Sequence, residues 1–514
     1  MERFLKRHEG RLLGTIAGFD RVLFRGNLSS ICHLGGMDRF MSSQRVLYKD
    51  FKPFVEKISE RVKEHAKQFA AAAQRPFIYL AFSRESKEER ARQIMEQDQI
   101  TEGLICVLSC LEPCRSFGIR REAQSKRLYL IKSERKCLHL YFYFADREFG
   151  LMHVRLQTWL PLTMQVCLNG REYLARQMKQ AGIAFEQQGN CFTRIADFRR
   201  AQQLSDQLTT RNWTRFLQGL ARKVNPWLDP KGELVLRPYY WTIREGEYAS
   251  DILFADQEAL AAVYPALIDH AIKQFHSEDV LRFLGRRTNC RHNGEVRSSL
   301  QRRVEGLRIR HWVEENSIKM YDKAGSVLRV ETTINNPKRF QVRRRATNKA
   351  GVVVMKWLPL RKGIADISRR VAVSRAANER YLEALAVVGE PTPSHQLLDK
   401  VSTRLERQGR KFRALRPISP EDSRVFSNLL RGEFLIQGIR NHDLRQHLYP
   451  QTNYDPDQRR KDSARVTRYL GLLRSHDLIY RVPKTNYYRV TKQGHEVMST
   501  AIKFRETNVA LLAA

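Results

Sequence analysis

The sequence predicts an α+β multidomain chain: an N-terminal mixed α/β sheet domain, a central helical plus β-meander region, and a C-terminal set of three helices and a hairpin. Three observations lead there. Strand-like and helix-like stretches interleave up to about residue 200, the pattern of a mixed sheet domain. Residues 306–345 read as three short strands with turn signals at Glu315-Asn316 and Ala324-Gly325, followed by a basic segment. Residues 419–503 read as helices and then a hairpin around Lys484-Thr485-Asn486. The expected divisions are 1–200, 201–375, a basic helical linker over 376–418, and 419–514.

A chain of 514 residues exceeds one ordinary core, and its 42% hydrophobic content supports packed domains rather than disorder. Lys and Arg number 91 against 55 Asp and Glu, a formal net charge of +36. Such an excess repels itself in a compact state and points to a polyanionic partner, nucleic acid first. No apolar run reaches the ~18 residues of a membrane span, and the N-terminus lacks a signal-peptide core, so no membrane partner and a cytoplasmic location are expected. The oligomeric state is left open. Eight cysteines without CxxC pairs fit buried, reduced thiols.

In order along the chain, residues 11–31 read as a strand interrupted by Asp20 and Arg21, and 43–73 as a helix. Ser86 with Glu89 forms a capping box for the next helix. Residues 75–82 and 103–111 are apolar strands. The stretch 136–159 is a hairpin in which Leu138, Leu140, Phe142 and Phe144 alternate with His139, Tyr141 and Tyr143. On its return strand Met152, Val154 and Leu156 alternate with His153, Arg155 and Gln157. An odd-length loop pairs polar with polar, so one face is core and the other carries two His, two Tyr, Arg155 and Gln157. Glu112 ends the neighbouring apolar strand.

Three outcomes are open for that face. His139 and His153, with Glu112 or Asp20, bind a divalent metal (Mg or Mn) for phosphodiester chemistry, with Tyr141 as a possible nucleophile. Alternatively Tyr141 and Tyr143 stack bases while Arg155 holds phosphate. In the third outcome helices such as residues 171–180 cover the face, and its polar groups form an internal network.

Residues 201–290 read mainly helical, with YYWTIREGEY as a strand-like interruption. In the meander, a two-residue Ala324-Gly325 turn sets Asp322 opposite Val327 and Ile318 opposite Glu331. Asp322 and Glu331 then share a face but lie roughly 13 Å apart, too far for one metal. The same register gathers Arg308, Arg310, Trp312, Lys319, Tyr321 and Lys323 as a cationic, aromatic face for nucleic acid. Residues 337–362 read as a basic loop containing Arg343, Arg344 and Arg345, and 364–388 as a helix.

Two local resemblances and one whole-length likeness add to this reading. The strands NSIKMYDK and VLRVETTI resemble the segment of plasmid rolling-circle replication initiators in which Tyr-(Asp/Glu)-Lys precedes Arg-x-Glu; the positions here are Tyr321, Asp322, Lys323, Arg329 and Glu331. That likeness implies DNA nicking at a metal site served by Asp322 and Glu331, with a separate Tyr attacking the strand. The family's Gly-Ser-Arg-type nucleophile strand is absent, and GLRIRHW stands in its place.

In the C-terminal region, Val466, Leu470, Leu473 and Leu478 mark one face of the third helix, opposite Arg459, Arg460, Lys461, Arg465 and Arg468. Three helices and a hairpin form the winged-helix arrangement, and LLRSHDLIYRVPKTNYYRVTKQG resembles bacterial winged-helix regulators. The resemblance implies that Ser463, Arg465, Thr467 and Arg468 face bases or phosphates, with Lys484 and Asn486 on the backbone. The whole chain also resembles a set of bacterial proteins of unassigned function. Taken together, the expectation is DNA binding and processing of the mobile-element or replication-initiator kind, including metal-dependent nicking or strand transfer. A non-catalytic RNA- or DNA-binding regulator is the alternative.

Overall fold

The computed structural model describes residues 1–82, 84–229, 234, 236–285, 296–303, 306–347, 351–388, 394–407, 409–431, 434, 438–450, 455–483 and 485–507. Its centre is one mixed sheet of eleven strands. In chain order the strands are β1 (Leu12–Leu28), β2 (Phe77–Leu80), β3 (Gly103–Arg121), β4 (Leu128–Asp146), β5 (Gly150–Gln157), β6 (Met164–Asn169), and the small hairpin β7 (Phe185–Gln188) and β8 (Cys191–Ile195). There follow β9 (Tyr239–Phe254), β10 (Val296–Arg303), β11 (Gly306–Val313), β12 (Asn316–Lys323) and β13 (Val327–Thr333). The spatial order is β10-β11-β12-β13-β9-β1-β6-β5-β4-β3-β2.

The boundary expected at residue 200 therefore falls inside a continuous sheet. β1 pairs with β6 on one side and, from Leu12 to Leu28, with β9 on the other, while β9 also pairs with β13. The break in helix-strand pattern after residue 200 is real, but strand pairing crosses it.

One face of the sheet is apolar along its length. Beneath β1, β4, β5 and β6 it packs on helices Leu34–Ser43, Phe51–Ala72 and Trp213–Val224, in a cluster that includes Phe24, Leu140, Phe142, Val154, Val62 and Trp213. Beneath β11–β13 it packs on helices Tyr264–Lys273, Ser277–Phe283 and Ile367–Leu385, through Ile309, Met320, Val330, Leu267, Phe283 and Tyr381. Burial of these side chains at ~25 cal/mol per Å² is the main force holding helices to sheet. The last of these helices crosses the expected linker start at 376: Tyr381, Leu382 and Leu385 are fully buried, so its C-terminal half is core.

The basic stretch read as a loop is a two-stranded ribbon, β14 (Gln341–Thr347) paired with β15 (Val353–Pro359). The Val352-Val353-Val354 run supplies the β-branched residues that strands favour, a signal masked by the basic composition. Arg343 and Arg345 are exposed on it, while Arg344 reaches Asp366 at 3.4 Å.

In the C-terminal region, helices Pro420–Leu429, Asn441–Leu448 and Pro456–Ser475 precede a hairpin, Ile479–Arg481 with Tyr488–Val490, and a final helix Lys492–Glu506. Ile439 exchanges both backbone hydrogen bonds with Tyr488 at 2.8 Å, adding a third short strand to that hairpin. Leu398, Val401 and Leu415 pack into the same apolar cluster as Phe426, Leu444, Val466 and Leu473. Among the described residues no helix is long and apolar enough to cross a membrane.

Candidate nucleic-acid interface

The second face of the sheet carries polar side chains together with two apolar patches, where Ile16, Leu253 and Val327 meet Leu174 and Phe192 and where β3 and β4 meet helix Lys87–Gln97, and most of the expected site residues gather on it. The hairpin β4–β5 has the expected parity: His139 opposes Gln157, Tyr141 opposes Arg155, and Tyr143 opposes His153. In the meander, β11 and β12 pair Arg308 with Tyr321, Arg310 with Lys319 and Trp312 with Ser317. Because β9, β1 and β6 lie between these two regions, the two sites read separately from the sequence occupy one face of one sheet.

The meander register differs from expectation by one residue. Lys323 pairs with Val327, so the loop has three residues, Ala324, Gly325 and Ser326, with φ of 54° and 75° at the first two. An alanine at positive φ gives no sequence signal, whereas Gly325 takes that conformation without strain. Glu331 consequently opposes Lys319, and Arg329 opposes Tyr321. Asp322 is paired with Leu328 and sits on the opposite, core-facing side, so it cannot serve a metal with Glu331. Burial pushes its carboxyl above the usual range.

Around Glu331 the sheet builds a closed charge network. Arg329 makes two hydrogen bonds to Asp251, at 2.7 and 2.8 Å, and Arg171 lies 3.0 Å from the same carboxylate. Arg329, Asp251 and Glu331 are all fully buried. The ammonium of Lys319 lies 2.6 Å from Glu331 and 3.1 Å from Glu247, and the Tyr321 hydroxyl donates to Glu331 at 2.8 Å. Asp20 is the extra residue of a bulge between Phe19 and Arg21, which turns it into the network. There it accepts from Asn190 at 2.9 and 3.0 Å and lies 3.3 Å from Arg329. Burial pushes Asp251 up, but Arg171 and Arg329 outweigh this and hold it below its usual value. For Asp20 burial wins: its carboxyl is raised, with Arg329 only partly offsetting and Glu331 adding to the rise.

Asp20, Glu247 and Glu331 each offer an oxygen within 4.8 Å of the others, a spacing that fits a divalent ion. The donor set suits Mg or Mn, but Lys319 already bridges Glu247 and Glu331, so an ion there would have to displace its ammonium. The set expected from sequence (Asp20, Glu112, His139, His153) does not converge on one point. Asp20 and His153 line one cleft of about 510 Å³, and His139 lines another. Glu112 lies 4.0 Å from His139 but is bound by Arg155 at 2.5 Å, Lys87 at 3.2 Å and the Tyr141 hydroxyl at 2.7 Å. Burial raises Glu112, and these three partners outweigh it and lower its pKa.

Nor is Tyr141 or Tyr143 a stacking surface. Both rings are buried in a cluster with Ala91 and Ile94 of helix Lys87–Gln97, which lies over β3 and β4. The internal-network outcome holds here, with a different covering helix from the one expected. Burial pushes the imidazole of His139 down to about 4 and that of His153 to about 3, so both are neutral near pH 7.

Between the two networks, over β1, β4, β5, β6 and β9, the polar face opens into a cleft of about 640 Å³. Arg25, Arg115, Arg155, Arg244 and Lys362 line it, with His139, Gln157 and Gln165 also contributing. Sequence reasoning misses Arg25, Arg115 and Arg244 and reads Lys362 only as the end of the basic stretch 337–362, because the four come from distant parts of the chain. Arg25 offers a signal, sitting at an outward position of the β1 alternation.

On the meander side, Arg297 and Arg310 each lie over the Trp312 ring, at 4.7 and 4.6 Å, and Lys323 lies 5.9 Å from the Tyr321 ring. Arg308 is held by Gln301 at 2.6 Å.

On helix Pro456–Ser475, Arg459, Arg460, Lys461, Arg465, Thr467 and Arg468 are exposed, whereas Val466, Leu470 and Leu473 are buried. Ser463 and Thr467 do not simply present hydroxyls outward. Asn441 binds the Ser463 carbonyl and the Thr467 hydroxyl, each at 2.8 Å, and accepts from the Ser463 hydroxyl at 3.0 Å, tying two helices together. Asn486 accepts from Arg481 at 2.7 Å, and Lys484 lies outside the described residues. No family model, no curated protein and no solved structure matches this chain.

Proposed function

We propose that the chain is a nucleic-acid-binding protein, with DNA the favoured partner, that engages its ligand through a C-terminal winged helix. The observation that carries this reading is the outer face of helix Pro456–Ser475, where five cations stand exposed beside a hairpin bearing exposed Arg481 and Arg489. The three preceding helical and strand elements, with Ile439 joining the hairpin, fit that arrangement. In it the cationic helix lies in the major groove and the hairpin rests on phosphates. The chain's net charge of +36 supports a polyanionic partner.

The test is fluorescence anisotropy of the full chain on labelled duplex across a salt series. Affinity should fall steeply with salt. In the R459Q/R460Q/R465Q/R468Q variant the slope should shrink by about 0.9 for each phosphate no longer neutralised. Binding that ignores salt, or a variant that binds as well as the parent, overturns the reading.

A second reading, metal-dependent strand cleavage of the replication-initiator kind, draws support from the convergence of Asp20, Glu247 and Glu331 beside Tyr321. A divalent ion held there in place of the Lys319 ammonium would polarise a phosphodiester, with Arg329 steadying the charge on Asp20. Supercoiled DNA incubated with Mg²⁺ or Mn²⁺ should be nicked by the parent and not by E331Q. Supercoils left intact under both ions would sink this reading without touching the binding one.

A further inference from the structure

We infer that the cleft over β1, β5, β6 and β9 binds the phosphorylated end of a nucleic-acid strand, gripping a terminal phosphate monoester. The inference rests on the reading of the chain as a nucleic-acid-binding protein and assigns a second site, distinct from the C-terminal helix.

The first argument is unbalanced charge. Five cations and two carboxylates, Glu245 and Glu315, line the cleft, and Glu134 outside the lining lies 3.8 Å from Arg115, which leaves a surplus of two. The guanidinium of Arg25 and that of Arg244 have no hydrogen-bond or ion-pair partner among the described residues, and neither has the ammonium of Lys362. The Nε groups of Arg25 and Arg155 are buried without an acceptor, and a buried donor left unmade costs free energy that an incoming oxygen recovers. Arg155 does pair with Glu112, but Lys87 shares that carboxylate, so the surplus persists. Burial lowers the Arg25 pKa, and Arg244, Arg115 and Arg155 lower it further, the mutual repulsion of cations gathered in one cleft. A phosphate monoester carries about −1.5 to −2 at pH 7, which matches the surplus.

Shape and lining decide which part of a strand fits. His139, Gln157 and Cys114 are buried and form part of the wall, and the cations come from β1, β3, β5, β9 and the segment after β15, a spread that suits the three free oxygens of a terminal monoester better than the two of a diester. No Phe, Tyr or Trp is among the described lining residues. Sites that hold single strands regardless of sequence use such rings to stack bases, so recognition here falls to the phosphates.

Anisotropy of the full chain with three labelled oligonucleotides of one sequence, carrying a 5′-phosphate, a 3′-phosphate or hydroxyls at both ends, tests this. One phosphorylated form should bind about tenfold more tightly than the hydroxyl form, and pyrophosphate should erase that advantage. R25Q/R244Q should abolish the preference, weaken binding of the phosphorylated strand more than that of the hydroxyl strand, and melt normally; R25K/R244K should keep part of the preference. If the double variant fails to fold, exposed Lys362→Gln replaces it and should reduce the preference. Equal binding of all three strands, or a preference that survives R25Q/R244Q or K362Q, overturns the inference. Absence of any oligonucleotide binding would instead overturn the general nucleic-acid reading, and calorimetry with pyrophosphate alone would still report on the cleft: uptake lost in R25Q/R244Q supports an anion site, and no uptake removes it.

Discussion

At the meander end of the polar face, Arg329 and Arg171 converge on Asp251, and Lys319 bridges Glu247 and Glu331. A few strands away, Arg25, Arg244 and Lys362 line a cleft with no carboxylate partner among the described residues. Both regions are rich in cations, and both sit on the same sheet. What separates them is whether the counter-charge is supplied by the protein. Where it is, the cations are part of the fold; where it is not, they are available to a ligand. Abundance of Arg and Lys in a stretch of sequence does not distinguish the two cases.

The sharpest way to break that contrast is to remove one partner from each region. Arg329→Ala leaves Asp251 and Asp20 short of a buried counter-ion and should cost about 3–5 kcal/mol, read as a lowered urea midpoint. R25Q/R244Q should change stability by no more than about 0.5 kcal/mol, because it removes mutually repelling charges. If both variants destabilise equally, the distinction fails.

Acidification should act on both regions with one sign. His311, buried beneath the meander, and His139, at the cleft wall, are each held near 4 by burial. They stay neutral in the folded protein while the unfolded chain takes up protons below about 6.5. The stability they contribute is present above that pH and is lost as pH falls through it. From pH 6.5 to 5 the loss is on the order of 2 kcal/mol per group. Urea midpoints at pH 7 and pH 5 should show it, and His311→Gln should flatten the dependence.

The smallest expected effect is on the ribbon. Arg343→Gln with Arg345→Gln should leave the urea midpoint within about 0.5 kcal/mol of the parent. The salt slope of binding should fall by about 0.9 for each phosphate these two arginines neutralise in the parent. A larger loss of stability would mean that these exposed arginines carry structure.

Much of the local structure is legible in the sequence. Alternation along residues 138–157 gives the hairpin register and its polar face, because a period-two pattern with a buried face admits one register. The meander register is missed by one residue because Ala324 adopts positive φ, which its side chain does not announce. That single shift carries Glu331 onto the face of Lys319 and leaves Asp322 on the core side. The polarity of Tyr141 and Tyr143 is visible, but the helix that buries them, Lys87–Gln97, lies far upstream, and no local pattern reports a covering helix. The cleft is illegible for a similar reason: Arg25, Arg115, Arg244 and Lys362 meet only because β1 lies between β6 and β9.

That placement of β1 also bears on how the chain is made. The strand leaves the ribosome before either partner: β6 ends at Asn169 and β9 at Phe254. Until β9 is synthesised, a seventeen-residue strand keeps one row of backbone donors and acceptors unsatisfied. Pairings so distant in sequence form slowly and leave nascent chains prone to joining one another. A fragment ending near residue 200 should therefore associate with itself through the bare edge of β1, and extension through residue 254 should relieve it.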